Sequence, residues 1–296
     1  MMLRNLLAVV LALGAAPEPA HVKKVEEWRA KHESDYRRDW VTVAGLHFLR
    51  PGANTAGSAK SNDIVVANVP PTIGRFVLDG QRVRFEPQAR VTVLLKDRPV
   101  TNAIELKDDG QPAADELVID KVRMVIHLSG EKRSLRVRDP DSELARGFRG
   151  FKWFPIDEKY RVTGRFIKDA QPSTRQVVNT LGDIDTYTTE GVIEFTLLGR
   201  KTTVRPFTTR PKRFYIVFKD ESSGKETYET ARFLYADLAD DGTTVLDFNE
   251  AYNPPCSFNP YTTCPIPLKE NRLPLKILAG ERAYPNPPKH TGPSFP

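Results

Sequence analysis

The sequence predicts a mainly β fold: an antiparallel sandwich or barrel-like body with one N-terminal helix and a proline-rich C-terminal strap. Three observations lead there. Short runs of alternating apolar and polar residues recur from Ile64 to Asn249, separated by glycine-containing turns. Only one segment, near the N-terminus, repeats its apolar residues with a helical period. Finally, Val245 to Glu281 gathers six prolines and both cysteines, a composition that excludes helix and central strand alike.

Taken in order, the chain opens with Arg4 and then an apolar run from Leu6 to Ala16 that ends in small residues. This is the order of a secretory signal over residues 1–16, and the run is too short to span a bilayer permanently. The expectation is an exported protein, periplasmic or extracellular, with no stable membrane anchor. In residues 17–40, Val22, Val25 and Trp28 recur every three residues among Lys, Glu and Arg, which predicts an amphipathic helix from Pro19 to Trp40.

Residues 41–284 read as a single β-rich domain, with 285–296 as a tail. Val41–Thr42–Val43 and the apolar Leu46, Phe48 and Leu49 suggest a strand and turn. Gly52 to Lys60, full of small residues, reads as a loop; its lysine does not follow the second glycine, so it is no phosphate-binding loop. Hairpins are expected at Asp79-Gly80, Ser129-Gly130 and Gly199-Arg200. Further strands are expected in RVTVLLK, RFYIVFKD, ETYETARFLYADL and TTVLDFN. The hairpins share a Leu-x-Gly signature at Leu78/Gly80, Leu128/Gly130 and Leu197/Gly199. Two similar β units joined near residue 150 therefore remain open beside a single unit, because hairpins converge easily.

The net charge of +6 is modest and spread along the chain, with no aromatic-interleaved basic module, so no nucleic-acid partner is expected. Catalytic templates are missing: there is no Gly-x-Ser-x-Gly elbow, no His-Glu-x-x-His and no dinucleotide glycine fingerprint. Two cysteines and five scattered histidines do not make a four-ligand set, so no metal or cofactor is expected.

The strap carries the candidate site. In an exported protein Cys256 and Cys264 are expected to pair, closing a short loop worth about 2.5 kcal/mol. Asp247, Asn249, Tyr252, Asn253, Asn271 and Glu281 admit two readings. The amides can supply hydrogen bonds to buried irregular backbone, with a cis proline as a further device. Alternatively, the acids, amides and tyrosine line a pocket for a small ligand.

The run LDFNEAYNPPCSFNPYTTCPIPLKENRLPLKILAGE resembles the closing motif of a bacterial and archaeal family known only as domain of unknown function 1684. VTVAGLHFLRPGANTAGSAKSNDIVV resembles its opening motif and LRVRD, at Leu135–Asp139, its middle one, so the resemblance spans residues 35 to 284. It implies that Asn249, Tyr252, Asn253, Cys256, Cys264, Pro265 and Asn271 are family hallmarks. It implies also that the cysteine pair occurs in members without a signal peptide, and it implies no activity. The function expected is binding of a small molecule in a pocket covered by the strap; the alternative is a hydrolase using the acid, amide and cysteine residues of the same motif.

Overall fold

In the computed structural model, which describes residues 18–286, strands build two pairs of antiparallel sheets, sandwich-like and not closed into a barrel. Residues 1–17 and 287–296, and with them the expected signal segment and most of the tail, lie outside the described residues. Among the described residues no helix is long and apolar enough to cross a membrane.

The first sheet pair follows the helix Pro19–Asp39. One sheet has six strands, with Val43–Phe48, Lys132–Arg138, Val122–Ser129 and Glu116–Ile119 adjacent in that order. The other has five, with Gly52–Gly57, Gly74–Asp79 and Arg82–Pro87 at its centre. Alternation along these strands turns Phe76, Phe85, Leu117, Met124, Ile126 and Leu135 into one shared core. The second pair has a four-stranded sheet, Arg200–Val204, Ile184–Leu197, Arg161–Val178 and Thr243–Asp247, and a three-stranded one, Phe207–Arg210, Arg213–Phe218 and Arg232–Asp237. Ile193, Phe195, Phe214, Phe218, Leu246 and Phe248 fill its core. A third cluster, mostly aromatic, lies where the helix, the 148–153 connection and the strap meet.

All three hairpins form; the first two turn one residue later than expected, at Gly80-Gln81 and Gly130-Glu131, and the third one residue earlier, at Leu198-Gly199, where both residues have positive φ. That is the geometry that continues the right-handed twist of the flanking strands. The structure departs from the sequence reading in four places. Gly52–Gly57 is a strand, not a loop. Its small residues answer a close approach, since a Cβ on Gly57 would lie 2.3 Å from the Pro71 carbonyl oxygen. RVTVLLK shrinks to Leu94–Leu95, and ETYETARFLYADL to Arg232–Asp237. The long pair Arg161–Val178 and Ile184–Leu197 was hidden because most of its first strand faces solvent and shows no clean alternation. No described peptide bond is cis.

The second sheet pair is tied to the strap by Arg232, fully buried. Its Nη1 donates to Asp220 Oδ2 at 2.9 Å and to the Ile277 carbonyl at 3.1 Å, its Nη2 donates to the Ala279 carbonyl, and the guanidinium stacks over Phe218. Removing one member of such a pair strands the other charge in the core. Arg232→Ala is therefore expected to destabilise the protein by about 3–5 kcal/mol, read as a lower denaturant midpoint at unchanged slope.

Candidate functional site

The strap leaves the Thr243–Asp247 strand through the 3-10 turn Phe248–Glu250 and runs irregularly to Glu281, with single turns at Pro255–Ser257 and Lys269–Asn271. Its backbone joins its neighbours only through isolated bridges, at Tyr252, Pro265, Arg272 and Glu281, and four fully buried asparagines add side-chain bonds to the surrounding backbone. The Asn249 amide exchanges two hydrogen bonds of 3.0 Å with the backbone of Asp157. Asn271 accepts from Arg205 N at 2.8 Å and donates to the carbonyls of Arg205 and Val217 at 2.9 Å. Asn259 donates to the Trp40 and Val43 carbonyls at 2.9 and 2.8 Å, anchoring the strap to the end of the helix. Asn253 donates from its backbone N to Glu281 Oε2 at 2.8 Å and from its side chain to Oε1 at 2.9 Å. Gly280 permits this closure: its φ is +76°, and a Cβ there would meet the Ala251 carbonyl oxygen at 2.2 Å.

The candidate residues thus separate. Asn249 and Asn271 bind the backbone of other segments, and Asn253 and Glu281 join the two ends of the strap. Tyr252 is buried among Trp28, His32, Tyr36, Phe233 and Tyr235. His32, stacked on Trp28 in the same cluster, is pushed down to about 3 by burial and stays neutral. Cys256 and Cys264 are both buried, and the expected disulfide is not present. The Cys256 thiol lies in hydrogen-bond contact with Cys264 and receives the Tyr228 hydroxyl at 3.7 Å. Burial first, then the contact with Cys264, raises it far above an ordinary thiol, so a nucleophilic thiolate is suppressed.

Among the six candidates, Asp247 lines a cleft. That cleft, of about 430 Å³, lies between the helix and the 235–250 segment, and is walled by Lys24, Trp28, Arg213, Tyr235, Asp247 and Glu250 among others. Asp247 is held on every side: Oδ1 accepts from Asn249 N at 3.1 Å and Asn249 Nδ2 at 2.9 Å, and Oδ2 meets His21 Nε2 at 2.6 Å. The other ring nitrogen of His21 meets Glu158 Oε1 at 2.6 Å, a half-exposed carboxylate. Glu250, three residues on, differs. Its Oε1 is buried and makes no hydrogen bond, and the Lys24 ammonium stands 3.9 Å away. Burial, then the neighbouring Asp247 charge, raises its pKa. Opposite, Arg213 pairs with Asp237 at 2.6 Å and stacks over Tyr235 at 5.0 Å.

His21, Lys24, Trp28, Arg213, Tyr235 and Glu250 were not among the sequence candidates. The helical residues carried a signal, since positions 21, 24 and 28 fall on one helix face. Glu250 stood in the closing motif three residues past Asp247, the spacing of one turn. Nothing local linked either group to Arg213 or Tyr235.

The fold and site define a two-sheet-pair β protein closed by an amide-pinned strap. Residues 146–282 match the model of the family described as "Protein of unknown function (DUF1684)". The match takes in the closing motif and stops short of the opening and middle motifs. Among solved structures, the chain is similar to an uncharacterised protein of Haloarcula marismortui, at 27% identity over 49% of this chain and 82% of that one, with a TM-score of 0.40. It is similar also to the FhaA FHA domain complexed with an intracellular domain, at 16% identity over 31% of this chain and 97% of that one, TM-score 0.22. Mycobacterium tuberculosis EmbR, in complex with a low affinity phosphopeptide, matches at 21% identity over 41% of this chain and 32% of that one, TM-score 0.22. No curated protein matches the chain.

Glu281 is fully buried and its pKa is pushed up to about 8 by burial, against the opposing pull of the two Asn253 donors. Unfolded, it titrates near the ordinary glutamate value of 4.5. Between those values the native chain holds a proton that the unfolded chain has lost, so this group's stabilisation is complete below 4.5 and is lost as pH rises towards 8. The stability difference between the wild type and Glu281→Gln is expected to fall by up to about 1.4 kcal/mol per pH unit across that window. Denaturant titrations of both proteins at several pH values measure it, and a flat difference would contradict a neutral Glu281.

Proposed function

We propose that the protein binds a small, hydroxyl-rich ligand in the cleft between the N-terminal helix and the 235–250 segment. One observation carries this reading: the Glu250 carboxyl presents a buried oxygen to the cleft wall with no hydrogen bond made to it. A buried acceptor without a donor costs about 1–3 kcal/mol, and a ligand hydroxyl would recover that. The surroundings favour a neutral polyol or saccharide over a strongly charged ligand. Arg213 is already neutralised by Asp237, Asp247 is saturated by Asn249 and His21, and Lys24 faces Glu250. Trp28 and Tyr235 add aromatic surface to the cleft wall.

Titration calorimetry against a panel of monosaccharides and linear polyols tests the proposal. Saturable binding to the wild type is expected, weakened about 10- to 100-fold by Glu250→Ala, the loss of one buried hydrogen bond. If no member of the panel binds, or Glu250→Ala binds equally well, the reading is wrong.

Export belongs to the same proposal, on the strength of the Arg4–Ala16 pattern. In an oxidising compartment Cys256 and Cys264, already in contact, would join as a disulfide. The intact mass of exported protein should then be lighter by one pair of hydrogens than the reduced chain.

A second reading rests on the two carboxyls of the cleft. Burial raises the pKa of Glu250, as suits a general acid, and Asp247, three residues away, lines the same cleft with Oδ1 accepting from Asn249. It requires turnover of p-nitrophenyl glycosides that both Glu250→Gln and Asp247→Asn abolish.

A further inference from the structure

A second polar cluster lies away from the cleft, where the strap crosses the first sheet pair. Three segments far apart in sequence converge there. His127 stands near the end of the Val122–Ser129 strand. Asp109 lies in the loop after Ile104–Leu106, which returns to that strand through a 2.9 Å bond from Asp109 N to the Ile126 carbonyl. Thr263 is carried in by the strap. Its neighbours are fixed on both sides: Thr180 N donates to the Cys264 carbonyl at 2.9 Å, Cys264 N donates to Thr180 Oγ1 at 3.2 Å, and Thr262 Oγ1 donates to the Asn259 carbonyl at 3.0 Å.

The contacts run in series. Thr263 Oγ1 is 3.2 Å from His127 Nε2, and His127 Nδ1 is 2.7 Å from Asp109 Oδ2. Asp109 is oriented in turn: Oδ1 accepts from Leu128 N at 3.0 Å, and Oδ2 also accepts from Arg136 Nη1 at 3.0 Å. Burial is the largest influence on His127 and lowers its pKa, despite the opposing pull of Asp109, so the ring is neutral at neutral pH. Burial alone would raise Asp109; the hydrogen bond from His127, with the Leu128 N–H and the Arg136 charge, outweighs it and keeps the carboxylate ionised. An ionised carboxylate cannot donate, so the one proton of the neutral ring sits on Nδ1 and points at Asp109. The Nε2 lone pair is then free to accept, and the donor it meets is the Thr263 hydroxyl. That is the tautomer and the order of groups in which a hydroxyl is activated for attack on a carbonyl.

We propose that Thr263, His127 and Asp109 form a catalytic hydroxyl–imidazole–carboxylate site that hydrolyses small carboxylic esters. Thr263 Oγ1 adds to the ester carbonyl carbon, forming a C–O bond while its proton passes to His127 Nε2. Asp109 stabilises the imidazolium from the Nδ1 side. Collapse of the tetrahedral adduct breaks the bond to the alcohol oxygen, which leaves with the proton from Nε2, and Thr263 is acylated. Water then adds to the acyl carbon, giving a proton to His127. Breaking the bond to Thr263 returns that proton to Oγ1 and releases the carboxylic acid. Ester and water are consumed, acid and alcohol appear, and no oxidant or cofactor enters the balance. Thr263 is half-buried and the Asp109 side chain 27% exposed, so a compact carbonyl can approach the hydroxyl. The site is independent of the cleft: neither Thr263, His127 nor Asp109 lines it.

The same contacts would also serve merely to fasten the strap to the sheet, and covalent chemistry separates the two. The full chain is incubated with p-nitrophenyl acetate, and separately with an alkyl fluorophosphonate, and the peptide containing Thr263 is analysed by mass spectrometry. The expected result is phosphonylation at Thr263 and release of p-nitrophenol. Thr263→Val, which keeps the volume and removes the hydroxyl, should lose the label and at least about 100-fold of the turnover. Thr263→Ser should keep both. Asp109→Asn, which unsettles the tautomer, should lower kcat with little change in KM. The proposal is overturned if wild-type Thr263 stays unmodified, if the label falls on another residue, or if Thr263→Val turns over p-nitrophenyl acetate like the wild type. Should Thr263→Val fail to fold, as judged by its circular dichroism, the labelling of the wild type and of Thr263→Ser decides alone.

Discussion

The structure depends on satisfying the backbone of a segment that forms neither helix nor sheet. Prolines prevent the strap from 248 to 281 from making a ladder, while its aromatic and aliphatic residues draw it into the interior. The strap's own backbone finds partners in short turns and isolated bridges to Phe233, Val178 and Lys219, while the side chains of Asn249, Asn253, Asn259 and Asn271 bond to backbone carbonyls of the segments it meets. Arg232 does the same for the carbonyls at Ile277 and Ala279. Because each amide binds a different part of the chain, the pins also assemble the molecule: Asn259 ties in the end of the helix, Asn249 the segment before Arg161–Val178, Asn271 two strands of the second sheet pair.

Both candidate sites follow from that route. As the strap leaves its strand it sets Asp247 and Glu250 under the helix, which completes the cleft with Lys24 and Trp28. As it crosses to the first sheet pair it sets Thr263 against His127. The chemistry at each place is decided by dehydration more than by residue type. Glu250 and Glu281 are both pushed up by burial, yet Glu281 has its oxygens occupied by Asn253 and Glu250 has one left over. Burial likewise leaves His127 neutral and its Nε2 available, while the same effect makes Cys256 unreactive. A polar atom left unsatisfied in such surroundings is where a ligand gains most.

Much of the architecture was legible in the chain, because it follows from local rules. The helix from Pro19 ended within a residue of expectation, and two turns fell on the glycines that demand positive φ. Recognition of the strap as ordered and irregular needed only its prolines and aromatics. The reading failed where a neighbour overrode local preference. Gly52–Gly57 lacks the bulky residues of a strand because the Pro71 backbone leaves no room for them. The Arg161–Val178 strand is exposed over much of its length, and its core-facing residues, Val162, Phe166 and Val177, are too few to announce an 18-residue strand.

The sequence by itself determined the fold class, the helix, the strap and the residue types capable of chemistry, since periodicity, turn preference and proline content act over a few residues. Only the tertiary structure decided which of those residues are used. It turned Asn249, Asn253 and Asn271 into backbone pins, brought His21 across to Asp247, and set Thr263 beside a histidine from a distant strand. Those outcomes depend on burial and on contacts between residues from 28 to 226 positions apart, and neither is written in any local pattern.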